Sequence, residues 1–156
     1  MIKCEFENHH QTSLRHAVID NLVIKNKKIL LVKRRKDFLE GGKWSLVGGF
    51  MERNENIKEA ACREILEETG YKVGKVVLFR IIDKPDRRAE DRQNISFVNF
   101  CVAKKKIQPA DNESSEQAWF DLDNLPPKKE FAFDHFDNIK LYLKYLKNPF
   151  SLPKLG

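Results

Sequence analysis

The chain has 156 residues, of which 41% are hydrophobic and 33% are charged, and its formal net charge is +6. This length fits one domain that buries its own core without disulfides or metal staples. No apolar run approaches the ~20 residues of a membrane-spanning helix, and the N-terminal MIKCEFENHH lacks the apolar core of a signal peptide. We therefore expect a cytoplasmic protein with a single domain over residues 1–156 and no membrane partner.

Neither the cysteines nor the charge identify a function by themselves. Cys4, Cys62 and Cys101 are odd in number and far apart, which suggests neither a disulfide framework nor a zinc site, and the last two are expected to be buried thiols. The positive charge favours anionic partners such as nucleotides, nucleic acid or acidic lipid. Because the lysines are spread out, a lysine-rich solvated surface explains the excess better when it is taken alone.

The first half of the chain predicts extended structure. Residues 1–14 are polar and mixed, and they are compatible with an edge strand, a dimer arm or a frayed tail, which leaves a homodimer open. Residues 16–35 contain two runs rich in Val, Ile and Leu around the polar KNKK, which predicts a β-hairpin. A glycine-containing loop follows at 37–44, and WSLVGGF at 44–50 reads as a short extended segment.

The strongest predicted helix covers residues 54–70. Asn54 is the expected N-cap, Glu55 places an acidic group in the first turn, and Gly70 ends the helix where a left-handed residue is favourable.

The second half predicts strands and a closing helix. Residues 71–83 and 94–106 read as long strands joined by the charged loop 84–93, and residues 117–126 read as a short strand and turn. Residues 133–148 form an amphipathic helix. Its expected apolar stripe comprises Phe136, Ile139, Leu143 and Leu146. This order of elements predicts an α/β fold with helices on the faces of a mixed sheet.

Three glutamates share one face of the first predicted helix. Glu64, Glu67 and Glu68 stand at i, i+3 and i+4, a spacing at which like charges destabilise a helix by ~0.2–0.5 kcal/mol per pair. A solvated face neutralised by nearby basic residues and salt is the usual explanation. Hard oxygen ligands on one rigid face also suit Mg²⁺, which keeps several waters and is shared with substrate phosphates.

The surrounding residues favour the metal. The segment GFMERNENIKEAACREILEETGY (49–71) resembles the Nudix box, G-x5-E-x7-R-E-apolar-x-E-E-x-G, at every fixed position. Such a match almost never arises by chance at average residue frequencies. The resemblance extends over roughly residues 16–147: WSLVGGF is similar to the family's W-x-L-P-G-G, with Val47 in place of the common proline, and AWFDLDNLP is similar to its W-F-x-x-(D/E)-L-P.

The resemblance to the Nudix hydrolase family implies a fold, an activity and a cofactor. The fold is an α/β/α sandwich with a mixed β-sheet, and the reaction is hydrolysis of a pyrophosphate bond in a nucleoside diphosphate derivative. Mg²⁺ is the implied cofactor, with Mn²⁺ as a substitute. The metal ligands implied by the resemblance are Glu64, Glu67, Glu68 and the carbonyl of Gly48.

The resemblance also assigns catalytic roles. Arg63 is expected to hold the glutamates through charge-assisted hydrogen bonds, and Glu55 to orient Arg63. The base that activates water varies within the family. It is either Glu67 or a neighbour in the box, or a glutamate of the loop ADNESSEQAW, where Glu116 is slightly preferred over Glu113 for its proximity to the strand.

The substrate is less closely defined. The segment RIIDKPDRRAEDRQ (80–93) is similar to the D-P-x-R-D-x-R segment of ADP-ribose pyrophosphatase-like members, and FAFDH (131–135) is similar to their approach to the last helix. An ADP-ribose-like substrate is therefore favoured, although a solvated charged turn would look much the same. The arginines expected to grip phosphate or ribose are Arg87, Arg88 and Arg92. The aromatic residues that could stack on a base, or equally fill the core, are Trp44, Phe50 and Phe79.

Three other functions stay open: a pyrophosphatase for modified nucleoside triphosphates, a nucleotide sensor without activity, and a basic nucleic-acid binder. The intact box argues against the sensor. No recognition helix or aromatic-rich sheet signature supports the binder, so no specific nucleic-acid partner is expected. The histidines lack ligand spacing and are treated as surface or structural residues: His9, His10, His16 and His135.

Overall fold

A seven-stranded mixed β-sheet forms the centre of the protein. The computed structural model describes residues 2–87 and 93–156. The strands are β1 (Ile2–Glu5), β2 (Gln11–Leu14), β3 (Ala17–Lys25), β4 (Lys28–Arg34), β5 (Trp44–Ser45), β6 (Tyr71–Ile82), β7 (Ile95–Lys106), β8 (Ser114–Asp121) and β9 (Lys154–Leu155). The helices are α1 (Ile57–Thr69) and α2 (His135–Lys147), with a 3₁₀ turn at Lys128–Glu130.

The sheet has the strand order β5-β4-β3-β7-β6-β9, and β8 pairs with β4. The hairpin predicted at 16–35 is confirmed as the antiparallel pair β3–β4. At the centre, β3 and β7 run parallel from the pair Ala17↔Ile95 to the pair Ile24↔Val102, whereas β6 and β7 are antiparallel. The predicted mixed sheet is therefore confirmed.

The helices cover opposite faces of this sheet, as the side chains of β3 show, since they alternate between the two faces. Ile19 packs with the alanines of α1, and Val23 lies in one apolar cluster with Ile65 of the same helix. Leu22, which points the other way, lies in the largest cluster together with Ile139 of α2. This arrangement is the predicted α/β/α sandwich.

Helix α1 begins two residues later than the sequence predicts. Asn56 is the N-cap: its side-chain oxygen accepts from two backbone N–H groups of the first turn, and its own N–H donates to Glu59 at 2.9 Å. This reciprocal capping box satisfies donors that Asn54, held at a φ of 72°, does not reach. Glu55 consequently precedes the helix. Gly70 caps the C-terminus in the left-handed region, as predicted.

The buried face of α2 differs from the predicted apolar stripe. Ile139 is buried as expected, but Leu146 is 53% exposed, and the remaining buried positions are His135, Asn138 and Tyr142. Two polar side chains on the buried face have hydrogen-bond partners there, a condition that apolar periodicity cannot register.

Residues 2–14 form a separate two-stranded sheet. β1 and β2 pair antiparallel from Ile2↔Leu14 to Glu5↔Gln11, and within the described residues neither pairs with the main sheet, so the edge-strand alternative is wrong. Of the thiols expected to be buried, Cys101 is buried but Cys62 is only half-buried. In the described parts of the chain, no helix is long and apolar enough to span a membrane.

The capping box predicts which asparagine stabilises α1. Asn56→Ala should lower the free energy of unfolding by about 1 kcal/mol, because the first-turn N–H groups lose their acceptor. Asn54→Gly is the matched control and should be neutral or slightly stabilising, since glycine adopts a positive φ without strain. Urea denaturation measures both. An Asn54→Gly loss as large as that of Asn56→Ala would contradict the assignment.

Candidate active site

A cleft of about 700 Å³ lies where the start of β3, the segment 45–50 and α1 meet. Its size is within the range of small-ligand sites. The loops after β4 and before β8 and the approach to α2 complete its walls. The predicted site residues that line it are Gly48, Phe50, Arg63, Glu64, Glu67, Glu68, Arg87 and Glu113.

The carboxylates of α1 meet the glycine segment at the cleft floor. Glu64 and Glu68 are buried, whereas Glu67 remains exposed. Gly49 allows this approach, because a Cβ at that position would stand 2.7 Å from Oε1 of Glu64. The glycine at this position of the box thus makes room for a carboxylate.

Arg63 joins the carboxylates of the box. Its guanidinium donates to Glu55 through Nε at 3.0 Å and Nη2 at 2.7 Å, and its Nη1 donates to Glu64 at 2.9 Å and to Glu67 at 3.1 Å. Nη2 also donates to the carbonyl of Phe50. These bonds, above all those to Glu55, raise the pKa of Arg63. The contacts are those expected of a residue that holds the glutamates and is itself oriented by Glu55.

Glu68 is the most perturbed carboxylate of the cleft. Burial raises its pKa to about 8, nearby Glu64, Asp111 and Glu113 add to the rise, and the N–H of Gly48, which donates to Oε2 at 2.9 Å, opposes it. Burial also raises the pKa of Glu64, although Arg63 counteracts this. The protein by itself therefore disfavours ionisation of these two buried carboxyl groups.

This donor set fits a hard divalent cation. Buried carboxylate oxygens without sufficient positive charge are suitable ligands for Mg²⁺ or Mn²⁺. Across residues 2–87 and 93–156, however, no three acidic, histidine or cysteine side chains converge closely enough to hold an ion alone. The carbonyl of Gly48, waters and substrate oxygens would have to complete the coordination, as is usual for Mg²⁺.

The two candidate bases of the segment ADNESSEQAW lie in different surroundings, because one precedes β8 and the other is part of it. Glu113 lies in the loop and lines the cleft. Glu116 lies within β8 opposite Lys33, forms an ion pair with it at 3.3 Å, and faces a separate shallow depression beside Trp44. The geometry therefore favours Glu113 and reverses the slight preference from sequence, because β8 begins earlier than its apolar residues indicate.

The predicted stacking residues divide between core and cleft. Trp44 is buried, packs edge-on against Phe120 with ring centroids 4.8 Å apart, and does not line the cleft. Phe79 lies fully in the core. Phe50 is 44% exposed at the cleft, with its ring 4.9 Å from that of His16. Only Phe50 of the three is thus in position to meet a ligand in this cleft.

Of the predicted substrate-binding arginines, Arg88 and Arg92 lie outside the described residues. The side chain of Arg87 is only 6% exposed and makes a bidentate pair with Asp134, through Nη2 at 2.7 Å and Nε at 3.1 Å. Its Nη2 also lies 3.9 Å from Asp20. Arg87 therefore lines the cleft with its charge already engaged by two carboxylates.

His135 is part of the cleft wall. From the sequence it was expected to be only a surface or structural residue. Its Nδ1 accepts from the N–H of Leu46 at 3.0 Å, and its Nε2 lies 3.4 Å from Oδ1 of Asp20. Burial opposes ionisation of Asp20, but His135 and Arg87 outweigh it, so the pKa of Asp20 lies well below its usual range. The available sequence signal was the FAFDH segment immediately before α2.

An aromatic wall, defined here as Arg34, Phe38 and Phe133, was also missed. The guanidinium carbon of Arg34 lies 5.1 Å from the ring centroid of Phe133 and 5.9 Å from that of Phe38. All three residues line the cleft, and Phe38 is exposed. They come from the end of β4, the following loop and the approach to α2, and no local pattern connects them.

The raised pKa of Glu68 predicts how stability depends on pH. The folded state binds the proton of the Glu68 carboxyl more tightly than the unfolded chain does. The contribution of this group to the free energy of unfolding is therefore fully present below pH 4.5 and is lost as the pH rises towards 8. In EDTA, Glu68→Gln should therefore melt a few degrees above wild type at pH 8 and level with it at pH 5. Glu116→Gln, an exposed control, should match wild type at both. Equal melting temperatures at pH 8 would contradict the burial of an uncompensated charge.

Comparison with known proteins agrees with this geometry. The NUDIX domain family model matches residues 14–142. An ADP-ribose pyrophosphatase of Methanocaldococcus jannaschii is 36% identical over 131 residues, which cover 83% of this chain and 73% of the relative. An oxidized purine nucleoside triphosphate hydrolase of Danio rerio is 29% identical over 113 residues, 72% of this chain and 70% of the relative.

The fold is also similar to that of known NUDIX hydrolases. The crystal structure of a NUDIX hydrolase from Nitrosomonas europaea superimposes with a TM-score of 0.80 at 23% identity, and the match covers 99% of this chain and 92% of the other. The family model and the Methanocaldococcus jannaschii relative establish that the chain belongs to the Nudix family: it is a pyrophosphohydrolase of nucleotide derivatives, in a family that generally needs a divalent metal.

Proposed function

We propose that this enzyme hydrolyses the pyrophosphate bond of ADP-ribose or a close analogue with Mg²⁺. The observation that carries the proposal is that one cleft joins the carboxylates of α1 to the aromatic wall. A nucleoside diphosphate derivative needs both parts of the cleft: the carboxylates, which would bind its phosphates through a metal, and the aromatic wall, which would bind its nucleoside. The likeness to the ADP-ribose pyrophosphatase of Methanocaldococcus jannaschii and the arginine-rich segment 80–93 support ADP-ribose in particular.

The α1 carboxylates are proposed to hold the metal. Glu64, Glu67 and Glu68 would supply side-chain oxygens and Gly48 a carbonyl, and Arg63 keeps the first two carboxylates in position. When bound, Mg²⁺ neutralises diphosphate charge and lowers the pKa of water. The fixed carboxylates thereby bind the diphosphate indirectly, which explains why a cleft for an anionic substrate has an acidic floor.

Glu113 is proposed as the general base. It lies on the loop at the cleft, where its backbone N–H donates to Asp111 at 3.1 Å and fixes the turn. Its carboxylate would accept a proton from the attacking water, while the water oxygen bonds to one phosphorus and the bridging P–O bond breaks. With ADP-ribose the products are AMP and ribose 5-phosphate, and the departing phosphate carries the electron pair.

The aromatic wall is proposed to bind the nucleoside. Exposed Phe38 and the ring of Phe133 offer faces for stacking. Arg34 holds the loop that carries Phe38, because its Nε donates to the carbonyl of Leu39 at 2.7 Å. Base–aromatic stacking is tolerant of base identity. The wall therefore supports a nucleotide without selecting a particular purine.

A modified nucleoside triphosphate is the second candidate substrate. The name of the Danio rerio relative favours it, and the same carboxylates and base would serve that reaction. The Nudix box does not separate the two substrates, since it contacts only the phosphates.

A substrate panel distinguishes these candidates. Phosphate-product release with Mg²⁺ should give the highest kcat/KM for ADP-ribose among ADP-ribose, NADH, 8-oxo-dGTP, a sugar nucleotide and a diadenosine polyphosphate. Mn²⁺ should substitute for Mg²⁺. A preference for the triphosphate would keep the mechanism and overturn the substrate. Nucleotide binding without turnover of any compound would favour a sensor.

The base is tested with two glutamates of the same loop and strand. Glu113→Gln should lower kcat by about 10²–10⁴, the usual contribution of general base catalysis. Glu116→Gln is the matched control and should stay within about twofold of wild type, because its carboxylate is paired with Lys33 away from the cleft. The reverse pattern would restore the preference drawn from sequence.

A further inference from the structure

Two asparagines are buried in the sheet behind the cleft, where apolar residues would be expected. Asn21 of β3 and Asn99 of β7 are direct partners in the parallel pair, and both are 0% exposed. By the alternation of strand residues they face α1, with Val23 and Cys101 two positions further along their strands. Neither residue lines the cleft.

The hydrogen bonds of the two amides run in one direction. Asn21 donates through Nδ2 to the carbonyl of Val47 at 3.1 Å, and its backbone N–H donates to the same oxygen at 2.8 Å. Because a carbonyl only accepts, the Oδ1 of Asn21 must face Asn99, whose Nδ2 donates to it at 3.2 Å. The Val47 carbonyl thereby determines the orientation of the Asn21 amide. The Asn99 amide is oriented by Asn21 and by the carbonyl of Phe97, to which its Nδ2 also donates at 3.2 Å.

Stability alone does not explain why two asparagines occupy these buried positions. Oδ1 of Asn99 is buried and, within the described part of the chain, has no hydrogen-bond partner. A buried acceptor without a partner destabilises a fold, and each such group in a native protein calls for an explanation. Two leucines would fill nearly the same space among the neighbouring apolar side chains without leaving that oxygen unpaired.

The carbonyl that the pair holds belongs to the segment entering the metal site. Val47 immediately precedes Gly48, whose N–H donates to Glu68 at 2.9 Å. On the opposite face of the sheet, His135 accepts from the N–H of Leu46. Side chains on both faces therefore fix two peptides of this segment, the one between Ser45 and Leu46 and the one between Val47 and Gly48. Asn21, supported by Asn99, acts on the second, whose N–H is the one that meets Glu68.

We propose that Asn21 and Asn99 are positioning residues for the divalent-metal site. By holding the Val47 peptide, they orient Gly48 so that its N–H meets Glu68 and its carbonyl faces the cation. This inference rests on the metal ligands given under the proposed function, and it adds two residues that touch neither metal nor substrate. Partners of this kind, which orient the groups that contact a metal, typically contribute about 10–100-fold to affinity or activity.

The test is the double variant Asn21→Leu/Asn99→Leu. Replacing both members of a buried polar pair by apolar groups of similar shape is nearly neutral or stabilising. The melting temperature in EDTA should therefore equal or exceed that of wild type. The dissociation constant for Mn²⁺, measured without nucleotide from the EPR signal of the free ion, should rise by about tenfold or more. Loss of metal affinity in a protein of undiminished stability is a result that a structural role does not produce.

Two further variants keep the test decisive. Ile82→Val, in the core on the α2 side, is a matched control that should lower the melting temperature and leave Mn²⁺ affinity unchanged. Should the double variant not fold, Asn99→Leu alone should weaken Mn²⁺ binding at a melting temperature where Ile82→Val binds normally.

Wild-type Mn²⁺ affinity in the stable double variant, or in Asn99→Leu, would overturn the proposal. Because binding is measured without substrate, failure to hydrolyse ADP-ribose would refute the proposed substrate and leave this result intact. Absence of Mn²⁺ binding in wild type itself would instead refute the metal ligands on which the inference rests.

Discussion

The site depends on one guanidinium that keeps like charges together. Arg63 donates to Glu55, Glu64 and Glu67, so carboxylates that would repel one another on a helix are fixed beside the cleft. Arg63 does not reach Glu68, whose burial raises its pKa instead. Arg63 thus fixes the geometry of the carboxylates it reaches, and we propose that a divalent cation supplies the positive charge that Glu68 lacks.

Around this centre, polar side chains hold the backbone from both faces of the sheet. His135 accepts from the N–H of Leu46, and Asn21 donates to the carbonyl of Val47. Asp20, paired with His135 and near Arg87, extends the polar contacts along the cleft wall. Buried polar groups cost stability unless they are satisfied, so their concentration behind one segment indicates that its position matters to the enzyme.

The two ends of the cleft differ in how their residues are arranged along the sequence. The acidic floor comes from contiguous residues of the box, and we propose that it acts on phosphate, which all candidate substrates share. The aromatic wall comes from residues far apart in sequence, Arg34 and Phe133 among them, and we propose that it meets the group attached to the phosphates. A local motif describes the first end of the cleft but not the second.

The sequence by itself determined the sheet's hairpin, both helices to within a few residues, the box and its carboxylates, because local spacing sets which side chains share a face. It placed the cap of α1 at Asn54, since both asparagines suit a cap and only backbone geometry selects Asn56. It slightly preferred Glu116 to Glu113 as the base, whereas Glu113 is the one of the two that lines the cleft, and it did not place His135, Asn99 or the aromatic wall near the site. Those assignments depend on strand register and on contacts between distant elements, and only the tertiary structure decides where such side chains meet.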